Sequence, residues 1–274
     1  MLIAACVKWA DLRPEIDRVH GTVTPNGRDD GFSEADRSAV EVALQLADAW
    51  DGEVVVVCAG PPAAESGLRD LLAAGVHRVV RVEHGGASGA SAAGVLAPVL
   101  SAADLGVDVV VCGDLSADRG SGTVPAFLAH HLGAAQALGL IQVEARGPGA
   151  ARVVRRLDGG RREVLDVEAP AVLSVEGSVG ELRRASLAAS LAARDAAVEV
   201  RTGRPEHHVE PPRLRPWRPP ARVLAAPSGE HALDRVVQLT GALVDRTPPR
   251  TLELEPPEAA EAILEQLRAW GYLP

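Results

Sequence analysis

The chain has 274 residues, of which 47% are apolar and only 3% aromatic, so it can form one large α/β domain with an appendage and must build its core from Ala, Val and Leu. The formal net charge of −9 argues against a nucleic-acid-binding protein, because phosphate contacts need clustered Lys and Arg. Three cysteines without a CxxC pair argue against a disulfide framework or a zinc site, and no apolar run reaches the roughly 18 residues of a membrane span, so we expect a cytoplasmic protein without membrane insertion.

The first part of the chain alternates between two kinds of pattern. Four short apolar runs rich in Val or Ile predict parallel strands buried on both faces: Leu2–Val7, Val54–Cys58, Val79–Val82 and Val107–Cys112. Helical patterns lie between and after them: Ser33–Trp50, Pro62–Ala74, Ser91–Ala103 and Gly122–Leu132. Strands that alternate with helices predict βαβ units and a parallel sheet covered by helices on both faces.

The second part changes character. Arg152–Leu157 and Arg162–Val167 flank Asp158-Gly159-Gly160 and predict a hairpin, and Ala171–Val175 predicts a further strand of the main sheet. From about residue 204 prolines are dense, which excludes helix and central strand and predicts an extended arm. The amphipathic pattern of Pro257–Trp270 predicts a terminal helix, which lies either on the same chain or on a partner subunit. We therefore predict a nucleotide-binding domain over 1–200 and an arm with a helix over 201–274.

The loop after the fourth predicted strand is the most informative candidate for a ligand site. In open α/β sheets, ligands bind outside the carboxyl ends of the strands. Gly120 and Gly122 permit close approach of a ligand, Ser121 and Thr123 offer hydroxyls, and Asp118 can accept a hydrogen bond from a ribose hydroxyl. The loop matches neither the P-loop motif GxxxxGK[ST] nor the dinucleotide-binding motif GxGxxG. The alternative is that it binds no ligand and only connects the strand to the helix.

Other polar residues do not form a catalytic constellation. The three cysteines are expected to be small buried residues, and the pair His130-His131 is expected to face solvent on a helix. No Ser/His/Asp set, paired carboxylates or metal-ligand spacing is evident, so we predict no catalytic residues and no metal. The sequence therefore favours a carrier or binding role over an enzyme.

Several motifs resemble, in their order and spacing, those of the β subunits of electron-transfer flavoproteins. They are the strand end Cys6-Val7-Lys8, the helix Ser38–Leu46, the stretches Gly60-Pro61 and Leu72–Arg78, the loop from Gly113 to Gly133, and Arg183 with Ala185-Ser186-Leu187. The resemblance runs through most of residues 1–200 and returns at the C-terminal helix.

The resemblance implies a Rossmann-like parallel-sheet domain of the adenine-nucleotide-hydrolase-like group. It implies a heterodimer with an α subunit, an FAD shared with that subunit, and an AMP or a second FAD in the β subunit. By resemblance the β-subunit nucleotide is lined by Cys6, Ser33, Ala59, Gly113, Asp118, Ser121, Gly122, Thr123 and Val124. Leu187 is then the apolar anchor for a dehydrogenase that donates electrons, and the Pro-rich arm wraps the α subunit.

The chain also departs from the family pattern. Ser33-Glu34-Ala35 stands where the family has Asn-Pro-Phe, and Val124-Pro125 stands where it has Thr-Gly. These changes suggest a specialised branch, and the arm ending in Leu-Arg-Ala-Trp-Gly-Tyr-Leu resembles β subunits of the mycofactocin redox system. Two alternatives are a stand-alone adenine-nucleotide-binding module of universal-stress type and an ATP-pyrophosphatase. The latter lacks its Ser-Gly-Gly-x-Asp-Ser loop after the first strand.

Overall fold

A computed structural model describes residues 1–84, 89–203, 218–219, 226–240 and 251–273. The chain divides into two units, Met1–Trp217 and Arg218–Pro274. Among the described residues, the first unit contains the strands and the first five helices, and the second contains two further helices. Most of the proline-rich segment, together with His207-His208, lies outside the described residues.

The described elements are numbered in chain order. The strands are β1 (Leu2–Val7), β2 (Trp9–Asp11), β3 (Glu15–Asp17), β4 (Thr22–Thr24), β5 (Asp30–Phe32), β6 (Glu53–Ala59), β7 (Arg78–Glu83), β8 (Val109–Gly113), β9 (Ala135–Ala145), β10 (Ala150–Arg156), β11 (Arg162–Glu168), β12 (Ala171–Val175) and β13 (Glu199–Thr202). The helices are α1 (Glu34–Trp50), α2 (Ala64–Ala73), α3 (Gly89–Leu100), α4 (Val124–Leu132), α5 (Leu187–Ala193), α6 (Ala232–Thr240) and α7 (Pro256–Ala269).

The main sheet is mostly parallel, as predicted. Its order over the described residues is β11-β10-β9-β12-β8-β1-β6-β7-β13. The strands from β9 across to β13 pair in parallel, and β10 and β11 continue the sheet as an antiparallel hairpin beyond β9. The predicted strands, the hairpin and the four predicted helices are therefore confirmed, with bounds that shift by a few residues.

Helices cover both faces of the sheet and enclose two apolar clusters. On one face, α1 and α2 pack on side chains such as Ile3, Val56 and Val111. On the other, α3 and α4 pack on Val57, Val110 and their neighbours. The central strands are buried on both faces because each Val contributes about 1.5–3 kcal/mol of favourable burial whichever way it points.

Helix α1 begins and ends with well-defined caps. Ser33 accepts from the backbone N–H of Asp36, whose side chain accepts from the Ser33 backbone, so the two residues form a complete capping box. The side chains of Ala39, Val42 and Leu46 are buried, so the helix packs an apolar face on the sheet. Beyond the helix, Asp51 adopts a left-handed conformation and ends it.

Four features of the first unit were not predicted. Strand β9 continues the sheet, and its alternation of buried and exposed residues is interrupted by an irregular register against β10 and β12. Two short ribbons, β2 with β5 and β3 with β4, lie between β1 and α1. Strand β13 pairs with β7 at the far edge, and α5 begins at Leu187.

The second unit contains α6 and α7, and α7 confirms the predicted terminal helix with nearly the same bounds. Its residues Ile263 and Trp270 are exposed, as are Leu233 and Leu239 on α6. The segments that join these helices to the rest of the chain lie largely outside the described residues, as does most of the arm on which the mycofactocin resemblance depends. No helix in the described ranges has the length and apolar character needed to cross a membrane.

Candidate functional site

A cavity of ≈ 250 Å³ opens at the carboxyl ends of β1, β6 and β8, where α3 and α4 begin. Eight of the residues predicted to line a nucleotide lie around it: Cys6, Ala59, Gly113, Asp118, Ser121, Gly122, Thr123 and Val124. Ser33, the ninth, is not among the lining residues, and its hydroxyl is engaged in the cap of α1. The sheet therefore brings together segments that are more than 100 residues apart in the chain.

The loop from Gly113 to Val124 needs glycine for its shape. Gly120 and Gly122 have positive φ angles of 61° and 58°, which side chains rarely adopt. A Cβ on Gly122 would lie 2.5 Å from the carbonyl oxygen of Asp114, so a side chain there would collide with the loop itself. Gly113 is also tight, because a Cβ there would lie 2.9 Å from the Cβ of Ala35 at the start of α1.

Among the helices that begin near the cavity, α1 and α4 differ in how their first turns are capped. The first turn of α1 is closed by the capping box of Ser33 and Asp36. The first turn of α4 has no side-chain cap hydrogen bond, although Thr123 occupies the N-cap position. Because uncapped N–H groups and the helix dipole favour an anion, the start of α4 is the better seat for a phosphate.

Lys8 and Asp118 form an ion pair beside the cavity. The ammonium Nζ donates to both carboxylate oxygens of Asp118, at 2.6 and 2.7 Å, and both side chains are partly exposed. Burial acts to raise the pKa of Asp118, but the Lys8 hydrogen bond and charge outweigh it and hold that pKa below its ordinary value. The pair ties the end of β1 to the glycine-rich loop and leaves Asp118 ionised.

Asp36 supplies a buried carboxyl to the cavity. The residue is 6% exposed and accepts hydrogen bonds from Ser33 and from the backbone N–H of Lys8. Burial raises the pKa of Asp36 to about 6, because removing a carboxylate from water disfavours its charged form more than these hydrogen bonds favour it.

Two aromatic nitrogen atoms on cavity-lining residues lack partners within the described part of the chain. The indole Nε1 of Trp9 and the Nε2 of His84 are buried and make no hydrogen bond. Trp9 packs edge-on against Phe32, with ring centroids 5.2 Å apart. Burial and the positive charge of Lys8 lower the pKa of His84. Polar groups of a bound ligand would supply the hydrogen bonds that these atoms lack.

Cys6 and Cys112 line the cavity, and the thiols of Cys58 and Cys112 are not activated as nucleophiles. Cys6 and Cys112 lie directly opposite each other on β1 and β8, and all three cysteines are buried, as predicted. The hydrogen bond from Cys6 and burial raise the pKa of Cys112, and burial raises the pKa of Cys58 to about 12. Such thiols remain protonated at neutral pH.

Leu187 lies at the start of α5, apart from the cavity. It is 77% exposed, and Leu191 one turn later is 61% exposed. Nearby in sequence, Arg183 donates to both carboxylate oxygens of the buried Glu41 on α1, at 3.1 Å each. The segment before α5 is thereby anchored to α1, while Leu187 and Leu191 of α5 remain accessible.

Sequence reasoning did not identify Asp36 or His84 as cavity residues. In the sequence, Asp36 lies inside the predicted helix Ser33–Trp50 and does not follow a strand. His84 directly follows β7, so the rule that ligands bind at strand ends would have selected it. The pair His130-His131 is exposed, as predicted. Among the described residues there is no group of three or more His, Cys, Asp or Glu that could hold a metal ion.

Comparisons with known proteins give a consistent picture. The model of the electron transfer flavoprotein domain family matches residues 21–204. The chain is 33% identical over 191 residues to an electron transfer flavoprotein subunit beta of Mycobacterium tuberculosis, covering 66% of this chain and 70% of that protein. It is 32% identical over 195 residues to the protein of the same name in Syntrophomonas wolfei, covering 70% of this chain and 76% of that protein. It is also 30% identical over 212 residues to Protein FixA of Azorhizobium caulinodans, covering 73% and 74%. The chain therefore belongs to the electron transfer flavoprotein family, as a relative of its β subunits.

Proposed function

We propose that this chain is the β subunit of a heterodimeric electron carrier, in which it binds an adenine nucleotide in the cavity and shares an FAD with an α subunit. The observation that carries the proposal is the cavity at the carboxyl edge of the sheet, walled by a glycine-rich loop, in a chain of this family. Residues 1–200 are the nucleotide-binding domain in this proposal, and residues 201–274 are the arm that wraps the α subunit.

The cavity residues fit an adenine nucleotide. The uncapped first turn of α4, with Ser121 and Thr123, offers N–H and hydroxyl donors to a phosphate. Asp118 offers a carboxylate to a ribose hydroxyl, and the unpartnered nitrogen atoms of Trp9 and His84 can bond to polar groups of the ligand. Ligand pockets typically have volumes of about 300 to 1,000 Å³, so a cavity of ≈ 250 Å³ is small, which suits a mononucleotide such as AMP.

The AMP has a structural role in this proposal, and the FAD at the subunit interface supplies the redox chemistry. A ligand that binds only the folded chain stabilises it by mass action. In this proposal the chain passes electrons and transforms no substrate, so it is an electron carrier and not an enzyme. We place it in the cytoplasm.

The electron donor in this proposal is a dehydrogenase that docks on α5. Leu187 is an exposed apolar side chain that follows a segment anchored by Arg183, and clustered exposed apolar groups are typical of protein interaction sites. The electrons then pass to a downstream acceptor. Leu191 lies four residues along the same helix, so it extends the apolar contact.

Co-expression with the α subunit of the same organism tests the proposal. We expect a yellow heterodimer that contains one FAD and releases AMP on denaturation, identified by the visible spectrum and by chromatography of the released nucleotides. A colourless monomer that retains ATP would refute the proposal and favour the stand-alone module of universal-stress type.

A further inference from the structure

Asp36 is a buried carboxyl without a cationic partner among the described residues. It is 6% exposed and lines the cavity, yet no ion pair involves it. The nearest ammonium, that of Lys8, bonds instead to Asp118 at 2.6 Å. Buried carboxyls normally have an ion partner or a metal, because an isolated charge is costly to remove from water. A buried carboxyl that lines a ligand cavity and has neither partner is therefore a candidate for a functional role.

The hydrogen bonds of Asp36 leave one acceptor position open. Oδ2 accepts from the Ser33 backbone N–H at 3.0 Å and from the Ser33 hydroxyl at 2.6 Å. Within the described ranges, Oδ1 accepts from a single donor, the backbone N–H of Lys8, at 3.1 Å. Since each carboxylate oxygen can accept about two hydrogen bonds, Oδ1 retains one free lone pair on a residue of the cavity wall.

We propose that Asp36 is a specificity-determining residue of the cavity, whose Oδ1 accepts a hydrogen bond from an N–H or O–H group of the bound nucleotide. The proposal rests on the nucleotide-binding function proposed above and adds the residue that selects the ligand. The donor is either the exocyclic amino group of adenine or a ribose hydroxyl, and both satisfy the same acceptor.

Such a bond links nucleotide binding to the protonation of Asp36. A pKa of about 6 leaves roughly 90% of the carboxyl ionised at pH 7 and roughly 10% at pH 5, so binding that needs the carboxylate weakens about tenfold between these values. Several other titratable or charged groups lie around Asp36, and they are the same in each pair of proteins or ligands compared below. Lys8, Cys58 and Cys112 interact electrostatically with Asp36, and Cys6, His84, Asp118 and Arg119 line the same cavity.

The test measures AMP binding to the full-length chain by isothermal titration calorimetry from pH 5 to pH 8. Because the second pKa of a phosphate is also about 6, the informative quantity is the ratio of Kd between a variant and the wild type. For Asp36→Asn we expect a ratio of about ten at pH 7.5 that falls towards one at pH 5. Ser33→Ala keeps the carboxyl but removes a hydrogen bond that lowers its pKa, so its ratio should exceed one near pH 6 and approach one at pH 8, unlike that of Asp36→Asn. A constant ratio for Asp36→Asn would overturn the proposal.

A second measurement uses the wild-type chain alone, so it does not depend on the folding of a variant. Purine riboside 5′-monophosphate lacks the amino group, and 2′,3′-dideoxyadenosine 5′-monophosphate lacks both ribose hydroxyls, while both retain the phosphate. One of them should bind about tenfold more weakly than AMP at pH 7.5 and about equally at pH 5. If both analogues bind as tightly as AMP at every pH, only the role of Asp36 is refuted. If AMP does not bind at any pH, the nucleotide site is refuted as well.

Discussion

Replacing Arg183 by Met tests how the segment before Leu187 is held against α1. The guanidinium donates to both oxygens of Glu41 at 3.1 Å and to Asp48 at 3.0 Å. Methionine keeps much of the aliphatic stem but removes the charge and all of these bonds. Glu41 then retains only the backbone N–H of residue 183, at 3.0 Å, and the amide of Gln45, at 3.1 Å.

The expected loss follows from the unequal burial of the two side chains. Glu41 is 7% exposed, whereas the Arg183 side chain is 37% exposed. Breaking a fully buried pair costs about 3–5 kcal/mol, and breaking an exposed pair costs about 0–1 kcal/mol. Since Glu41 keeps two donors and the arginine is partly solvated, we expect Arg183→Met to lower the free energy of unfolding by about 2 kcal/mol.

The chain supplies a matched control with the same chemistry at the surface. Arg152 donates to both oxygens of Asp166, at 2.8 and 3.0 Å, but both side chains are exposed. Arg152→Met should therefore cost about 0.5 kcal/mol or less. Equilibrium urea denaturation followed by far-ultraviolet circular dichroism gives both values. If Arg183→Met costs no more than Arg152→Met, the anchoring role of the pair is refuted.

The remaining predictions concern docking, the loop and acid stability. Leu187→Ala should slow electron uptake from the dehydrogenase, measured by stopped-flow reduction, and leave flavin content intact; loss of flavin with unchanged docking would contradict its role. Gly122→Ala should lower stability and AMP content more than Gly106→Ala, because both glycines have positive φ but only Gly122 would collide with a carbonyl; equal losses in the denaturation and nucleotide assays would refute the collision. Burial acts to raise the pKa of Glu41, but its bonds to Arg183 outweigh burial and lower that pKa. The Arg183–Glu41 pair therefore stabilises the fold above the ordinary glutamate pKa of about 4.3, and this contribution is lost as the pH falls below that value. The difference in free energy of unfolding between wild type and Arg183→Met should therefore shrink on acidification. A difference that persists in acid would contradict the lowered pKa of Glu41.

The sheet was predictable because its central strands carry an unambiguous pattern. Continuous valine runs such as Val54–Cys58 occur only where both faces of a strand are covered, so they identify the parallel core directly. Strand β9 contains Gly139 and two glutamines and pairs with an irregular register, so its apolar period is broken. Strand β13 has four residues and is held by side-chain pairing, such as that of Arg78 with Glu199, which no local pattern indicates.

The cavity was predictable where it depends on local rules. Glycines that follow a buried strand mark a loop near the carboxyl edge, which led to the segment from Gly113 to Val124. The part of the cavity wall that contains Asp36 depends on how α1 packs on the sheet, and residue spacing in the sequence does not indicate that packing. Asp36 enters the cavity because α1 lies directly against β8, at the close contact between Ala35 and Gly113. Only the fold brings that carboxyl beside Lys8 and the cysteines.

The packing of Trp9 gives the cavity a natural optical probe. Its indole borders the cavity and contacts Phe32, and a Cβ on Gly67 of α2 would lie 2.5 Å from the ring, so the ring has little freedom to rotate. A ligand that hydrogen-bonds to the buried indole nitrogen would change the emission of a chromophore that is otherwise fixed. Occupancy of the cavity can therefore be followed by intrinsic fluorescence, with Trp9→Phe as the silent reference, without labelling the chain.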